Sequence, residues 1–310
     1  MTTDPAPICV FAYKRPHHLK RAIAALLGNP LASRSHLVIF SDAAKAADDA
    51  AAVREVRSIC HQVSGFASVR IVEQESNLGL ARSVIGGVSQ MCDWFGRVIV
   101  VEDDLVVSPY FLDYMNAGLA LYEADGSVFS IHGYVFPVSA PLPETFFLLG
   151  ADCWGWATWS RAWQCFEPDG ARLLENLSRR NLLRRFDFNG ACDYTGMLRQ
   201  QIAGRIDSWA IRWQASVLLR EGLSLYPGRS LVRNIGFDDT GTHSAATAKY
   251  EVAMSDTPIR VGRIPLRENE AALAAFADYY RTLRPSGAGR LVSRIWRALR
   301  RFRGKGHGRE

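Results

Sequence analysis

An apolar run, Val98-Ile99-Val100-Val101, stops at three consecutive acids, Glu102, Asp103 and Asp104, before apolar residues resume at Leu105. Carboxylates are hard oxygen donors, and a cluster of them suits Mg²⁺ or Mn²⁺ carrying phosphate oxygens. The run before them is β-branched and unbroken, the pattern of a strand covered on both faces in a parallel sheet. The acids then stand at its carboxyl end, where ligands bind in open α/β sheets. A solvated turn, with Ser108 capping the following helix, fits the same residues.

Other groups able to do chemistry are spread along the chain. Arg15 follows the first apolar run in Tyr13-Lys14-Arg15-Pro16, Asp42 ends a second, and Asn77-Leu78-Gly79 precedes a helical pattern. Asp207 lies in Gly204-Arg-Ile-Asp-Ser-Trp209, and His243 ends Gly236-Phe-Asp-Asp-Thr-Gly-Thr-His. All but Arg15 have a plainer reading. Asp42 and Asn77 suit helix N-caps, Gly79 a turn, and Asp207 a surface acid near Arg205 and Arg212. His243 has no second metal-type residue at recognisable spacing and also reads as a loop histidine.

The elements that must hold these groups alternate. Ile8 to Tyr13 reads as a strand, and Pro16 stands in the first turn of a helix running through Leu27. His36 to Ser41 is a second strand, Asp48 to Cys60 a helix, Ser68 to Glu73 a third strand, and Leu80 to Phe95 a helix before the acid-ended strand. Such alternation predicts an α/β, doubly wound, mostly parallel sheet with a nucleotide across its carboxyl edge. A helix from Tyr110 to Tyr122, a strand from Val128 to His132, a Pro-rich loop and a tryptophan-dense segment follow, so the second part reads as α+β.

The 310 residues are 48% hydrophobic and 22% charged, an ordinary globular balance. Cysteines at 9, 60, 92, 153, 165 and 192 form neither a C-x-x-C pair nor a disulfide framework, which suits a reducing compartment. Met1 to Pro7 has no apolar signal core and no later stretch reaches the length of a membrane span, so a cytoplasmic protein is expected. The net charge of +6 is local: Ser286 to Glu310 holds eight Lys/Arg and one acid, leaving 29 bases and 30 acids elsewhere. That distribution argues against nucleic acid as partner. Within this tail, residues 290–303 place Leu291, Val292, Ile295, Trp296, Leu299 and Phe302 at helical spacing with arginines between. A C-terminal basic amphipathic helix of this kind suits peripheral attachment to an anionic inner-membrane face, or packing on its own domain. No Walker loop, G-x-G-x-x-G, H-E-x-x-H or G-x-S-x-G is present.

Taken together, Tyr13-Lys14-Arg15-Pro16, the strand-end Asp42, Asn77-Leu78-Gly79 and Val-Val-Glu-Asp-Asp-Leu-x-Val-x-Pro resemble the nucleotide-sugar half of GT-A (Rossmann-like) glycosyltransferases. The resemblance is closest to N-acetylglucosaminyltransferase I and its bacterial glycosyltransferase family 2-like relatives, and covers roughly Pro7 to His243. It implies one glycosyltransferase domain over 1–285, with a nucleotide-sugar half at 7–135 and an acceptor half at 136–285, followed by the tail at 286–310. It also makes Asp104 the metal ligand, Glu102 and Asp103 contacts to donor sugar and ribose, Asp42 a contact to uracil, and Arg15 and Asn77 donor-side residues. Asp207 matches the catalytic base, and His243 a loop near the diphosphate.

The chemistry asks for these residue types in its own right. A nucleoside diphosphate sugar, expected to be a UDP-sugar, needs its leaving diphosphate neutralised, which a carboxylate-held Mn²⁺ or Mg²⁺ does as a Lewis acid. A carboxylate must take the acceptor hydroxyl's proton as that oxygen attacks C1 from the opposite face, which inverts configuration. The acceptor is a glycan or lipid-linked saccharide. Aromatic rings stack on sugars and also fill cores; Trp156, Trp159 and Trp163 at i, i+3 and i+7 predict one core-facing helix side. Trp154, next to Gly155 where backbone can approach a ligand, and Trp209 beside Asp207 are the acceptor candidates. Two rivals are a sugar nucleotidyltransferase, which would show a Gly-rich, Lys-containing phosphate loop where Ala12 to His18 has no glycine, and a non-catalytic nucleotide-sugar or carbohydrate-binding module.

Overall fold

The computed structural model describes residues 4–238 and 249–283. Its first part is the expected alternation: β1 (Ile8–Ala12), α1 (Pro16–Leu27), β2 (His36–Ser41), α2 (Ala50–Gln62), β3 (Ser68–Glu73), α3 (Leu80–Phe95) and β4 (Arg97–Glu102). α1 starts on Pro16, whose fixed φ suits a first turn and whose missing N–H is not needed there. Next come β5 (Leu105–Val107), α4 (Phe111–Leu121), β6 (Val128–His132), β7 (Thr145–Leu149) and β8 (Trp156–Trp159). The short α5 (Ser160–Trp163), then α6 (Gly170–Arg179), α7 (Leu183–Phe186), α8 (Tyr194–Ile202) and α9 (Trp209–Leu219) lead to β9 (Leu223–Pro227), β10 (Val232–Asn234) and α10 (Glu270–Leu283).

The main sheet has the order β3-β2-β1-β4-β8-β6-β9-β7. β1, β2, β3 and β4 are parallel neighbours; β8 runs antiparallel between β4 and β6, and β7 is antiparallel to β9. Both faces are covered. In β1, Ile8, Val10 and Ala12 enter one core while Cys9 and Phe11 enter the other. β4 divides the same way, Ile99 and Val101 against Val98 and Val100, with each at most 1% exposed. An unbroken apolar strand is the consequence of two covered faces, and burying each such side chain contributes roughly 1.5–3 kcal/mol.

The tryptophan segment differs from expectation. Trp156 and Trp159 lie in a strand, not on one helix face, and their odd spacing sends Trp156 to the core under α3 and α9 and Trp159 to the opposite core. Trp163 returns to the side of Trp156 through α5. All three are buried, so their role as core residues stands although the element is different.

Register brings the strand ends level. Phe11 pairs with Glu102, Asp42 N donates to Ala12 O at 2.9 Å, and Asp103 N donates to Phe11 O at 3.0 Å. The 235–238 segment is delivered to the same edge by a small antiparallel ribbon of β5 and β10, in which Asn234 pairs with Leu105. No helix among the described residues is long and apolar enough to cross a membrane. The tail helix expected at 290–303 lies outside the described residues.

Candidate functional site

At the carboxyl edge, Asp104 turns out of β4 and its carbonyl accepts from Ile235 N at 2.8 Å, so the acid motif and the 235–238 segment are stitched together. Oδ2 of Asp104 accepts from Arg15 Nη1 at 2.8 Å. Arg15 Nη2 also donates to Gly236 O at 2.9 Å and meets Asp238 Oδ1 at 3.3 Å. Gly236 is needed for closeness: a Cβ there would lie 2.0 Å from Asp104 Oδ2 and 2.8 Å from Arg15 Nη1. The preceding loop is tied down from its other side, since Lys14 Nζ and Tyr13 Oη both reach Asp49 at 2.7 Å.

Three carboxyls in a row at a buried edge repel one another. Burial, then the charges of Asp104 and Asp103, raise Glu102 well above the ordinary carboxylate range, with Arg15 pulling the other way. Burial and Asp104 push Asp103 up to about 7, although its Oδ2 accepts from Tyr13 N at 3.2 Å. Asp104 is raised by burial and held down by Arg15. One arginine therefore offsets only part of the burial and mutual repulsion of these acids.

These residues fit a divalent cation. Oδ1 of Asp104 is buried and has no hydrogen-bond partner, which leaves one hard oxygen for a metal where the other is already engaged. Among the described residues no group of three or more His, Cys, Asp or Glu is arranged to hold a metal. A cation here would take most of its remaining oxygens from phosphates and water, as Mg²⁺-type sites commonly do.

The other expected residues fall into place unevenly. Asp42 is neither exposed nor the cap of α2. Its Oδ1 accepts from Ala43 N and Leu78 N, both at 2.9 Å, and its Oδ2 from Asn77 Nδ2 at 3.1 Å and Gly79 N at 3.0 Å. Asn77 also donates to Ala43 O at 2.7 Å. Asp42 and Asn77 thus lock the loop that opens α3 against the end of β2. Asp207, in the loop before α9, stands over that same loop: a Cβ on Gly79 would begin 3.9 Å from its Oδ2. It is 60% exposed and faces Arg212 Nη2 at 3.6 Å. Ser208, not Asp207, caps α9 by accepting from Ile211 N. At Ser108 the hydroxyl goes to Ser255 O at 2.8 Å, and α4 has no side-chain cap.

Trp154 is half-buried and edge-on to Tyr134, Phe237 and Tyr250, with centroids 4.7, 5.4 and 5.5 Å away. Gly155 has φ +64°, and the atom a Cβ would strike is Val232 Cγ2 at 2.6 Å, so its close approach is to its own chain. Trp209 is a correction. It is 2% exposed and stacks on Trp156 at 5.4 Å and 25°, so its ring belongs to the core and offers no face to an acceptor. His243 lies outside the described residues.

Sequence reading missed His18, which is buried on α1 with Nε2 at 3.0 Å from Asp238 Oδ2 and 3.2 Å from Ile235 O. The signal was its spacing, three residues after Arg15 on one side of the first helical turn. Arg15 and His18 together grip the 235–238 segment that crosses the acid motif.

Residues 1–135 match the model of the GNT-I family. Over that part the resemblance read from the sequence is borne out. No curated protein matches the chain. Similar solved structures include the mannosyltransferase PcManGT from Pyrobaculum calidifontis in complex with GDP-Man and Mn²⁺, at 15% identity and a TM-score of 0.32, covering 43% of this chain and 36% of that one. Residues 1–349 of TarS from S. aureus align at 10% identity and a TM-score of 0.33, covering 50% of this chain and 47% of that one. The match spans less than half the length of either structure.

Proposed function

We propose that this chain, matched to the GNT-I family over its first 135 residues, is an inverting, metal-dependent glycosyltransferase that moves a sugar from a nucleoside diphosphate donor, a UDP-sugar, to a hydroxyl of a glycan or lipid-linked saccharide. The observation that carries the reading is the buried, unpartnered Oδ1 of Asp104 at the carboxyl end of β4, with Arg15 on its other oxygen. Residues 7–135 supply the donor side and residues 136–285 the acceptor side.

A divalent cation bound through Asp104 would act as a Lewis acid on the leaving diphosphate. Arg15 adds a fixed positive charge beside it, held in position by Gly236 and Asp238. Glu102 and Asp103 face the donor sugar and ribose, and Asp42 with Asn77 shapes the nucleoside side by locking residues 77–79. Asp207, exposed above that loop, accepts the proton of the attacking hydroxyl, and attack from the face opposite the diphosphate inverts C1.

A thermal-shift screen of nucleotide sugars with and without Mn²⁺ tests the donor side. A ligand that binds only the folded state stabilises it by RT ln(1 + [L]/Kd), about 2.7 kcal/mol at a hundredfold excess over Kd. A UDP-sugar should raise the Tm only with the metal present. Stabilisation by no nucleotide sugar, or equally without metal, would contradict the reading.

A further inference from the structure

The loop joining β7 to β8 carries a carboxylate that none of the roles above uses. Asp152 is half-buried. Its backbone N–H donates to His132 Nε2 at 2.8 Å, and that imidazole stacks on Tyr226 at 4.8 Å. The donor fixes the tautomer: Nε2 accepts, so Nδ1 carries the hydrogen. Burial holds the His132 pKa down to about 3, so the ring is neutral and brings no charge to its neighbour.

The carboxylate itself is poorly served. Its Oδ1 accepts from the amide of Cys153 at 2.8 Å. No ion pair reaches it among the described residues, and burial raises its pKa above the ordinary carboxylate value. Through His132 it adjoins Tyr226, and burial chiefly, with the Asp152 charge adding to it, raises the hydroxyls of Tyr134, Tyr194, Tyr226, Tyr250 and Tyr280. Tyr134 donates to Tyr250 O at 3.0 Å, and Tyr194 pairs with Tyr280 at 2.9 Å. The hydroxyls of Tyr226 and Tyr250 make no hydrogen bond among the described residues. Trp154, edge-on to Tyr134, Phe237 and Tyr250, stands next to this group. The acid motif ends the neighbouring strand, since Val100 of β4 pairs with Trp156, two residues after Trp154.

A half-buried carboxylate with no cation beside it has acceptor capacity left for a ligand's donors. Free acceptor oxygens and two phenols set among aromatic rings match a pyranose, which presents neighbouring hydroxyls on its rim and C–H bonds on its face. We propose that Asp152, with Trp154 and the hydroxyls of Tyr226 and Tyr250, binds a pyranose ring of the acceptor, the carboxylate accepting from a pair of adjacent sugar hydroxyls. That the sugar is the acceptor rests on the transfer reading; that a sugar binds there does not.

Saturation-transfer NMR with three probes, methyl α-D-mannopyranoside, methyl β-D-glucopyranoside and methyl β-D-galactopyranoside, tests it on the full chain. The wild type should bind at least one. Asp152→Asn should weaken that binding by about tenfold or more, as expected for losing hydrogen bonds to a charged group. Tyr250→Phe, which removes only a hydroxyl and keeps the ring, should weaken it severalfold and serves if Asp152→Asn does not fold. Both variants should keep wild-type affinity for UDP with Mn²⁺, measured in parallel. Binding of no probe by the wild type, or unchanged binding in the folded variants, overturns the inference. UDP binding without pyranoside binding would sink this site alone, whereas pyranoside binding without UDP binding would leave it standing and sink the transfer reading.

Discussion

Asp42 accepts four hydrogen bonds from the chain itself, Asp104 keeps one buried oxygen free, and Asp207 has a single ion-pair contact at 3.6 Å and is 60% exposed. Three aspartates at one sheet edge therefore differ in what they can still do. Asp42→Ala leaves the backbone amides of Ala43, Leu78 and Gly79 without their acceptor; a loss of about 3 kcal/mol in stability is expected, read by denaturant unfolding. Asp207→Asn keeps the shape and removes the proton acceptor. UDP affinity should stay the same while kcat falls about 10²–10⁴-fold; wild-type turnover would move the base elsewhere. Arg15 and the acids were legible in the sequence because each sits within a few residues of a strand end. His18 and Asp152 were not, because partners far along the sequence give them their setting, Asp238 for His18 and Tyr226 and Tyr250 for Asp152.

Among the elements, β4 shows how a core and a site share one segment. Its apolar residues are required by two covered faces, and the acids begin where that cover ends. The same two-sided burial hid β8. With Trp156 and Trp159 on opposite faces no alternation marks the strand, and the spacing to Trp163 imitates a helix. Trp156 has 0% exposure and packs on Trp163, Trp209 and Trp213 with centroids 5.8, 5.4 and 6.0 Å away. Trp156→Ala should cost about 3–5 kcal/mol, checked by thermal unfolding, because surrounding rings cannot collapse into so large a gap. A loss below about 1 kcal/mol would mean that the ring cluster is not a stability centre.

At the scale of the whole molecule, the parallel first part of the sheet was readable from alternation alone, while the antiparallel insertion of β8 and β7 came from contacts no local pattern encodes. The charge distribution is also a whole-chain property: a nearly neutral body carries a tail with eight Lys/Arg. If residues 290–303 rest on an anionic bilayer, with ~1 kcal/mol from each Lys/Arg near the surface, the full chain should co-sediment with phosphatidylserine vesicles at low salt and be released at high salt. A chain ending at Pro285 should not; equal behaviour of the two would return the tail to a packed terminal helix. The central claim is that Asp104 joins metal to donor. Its most direct test is the rate of sugar release from a UDP-sugar, in wild type and Asp104→Asn, with Mn²⁺ or with EDTA. Turnover should require Mn²⁺ and vanish in the variant; equal rates in wild type, in Asp104→Asn and in EDTA would contradict the claim.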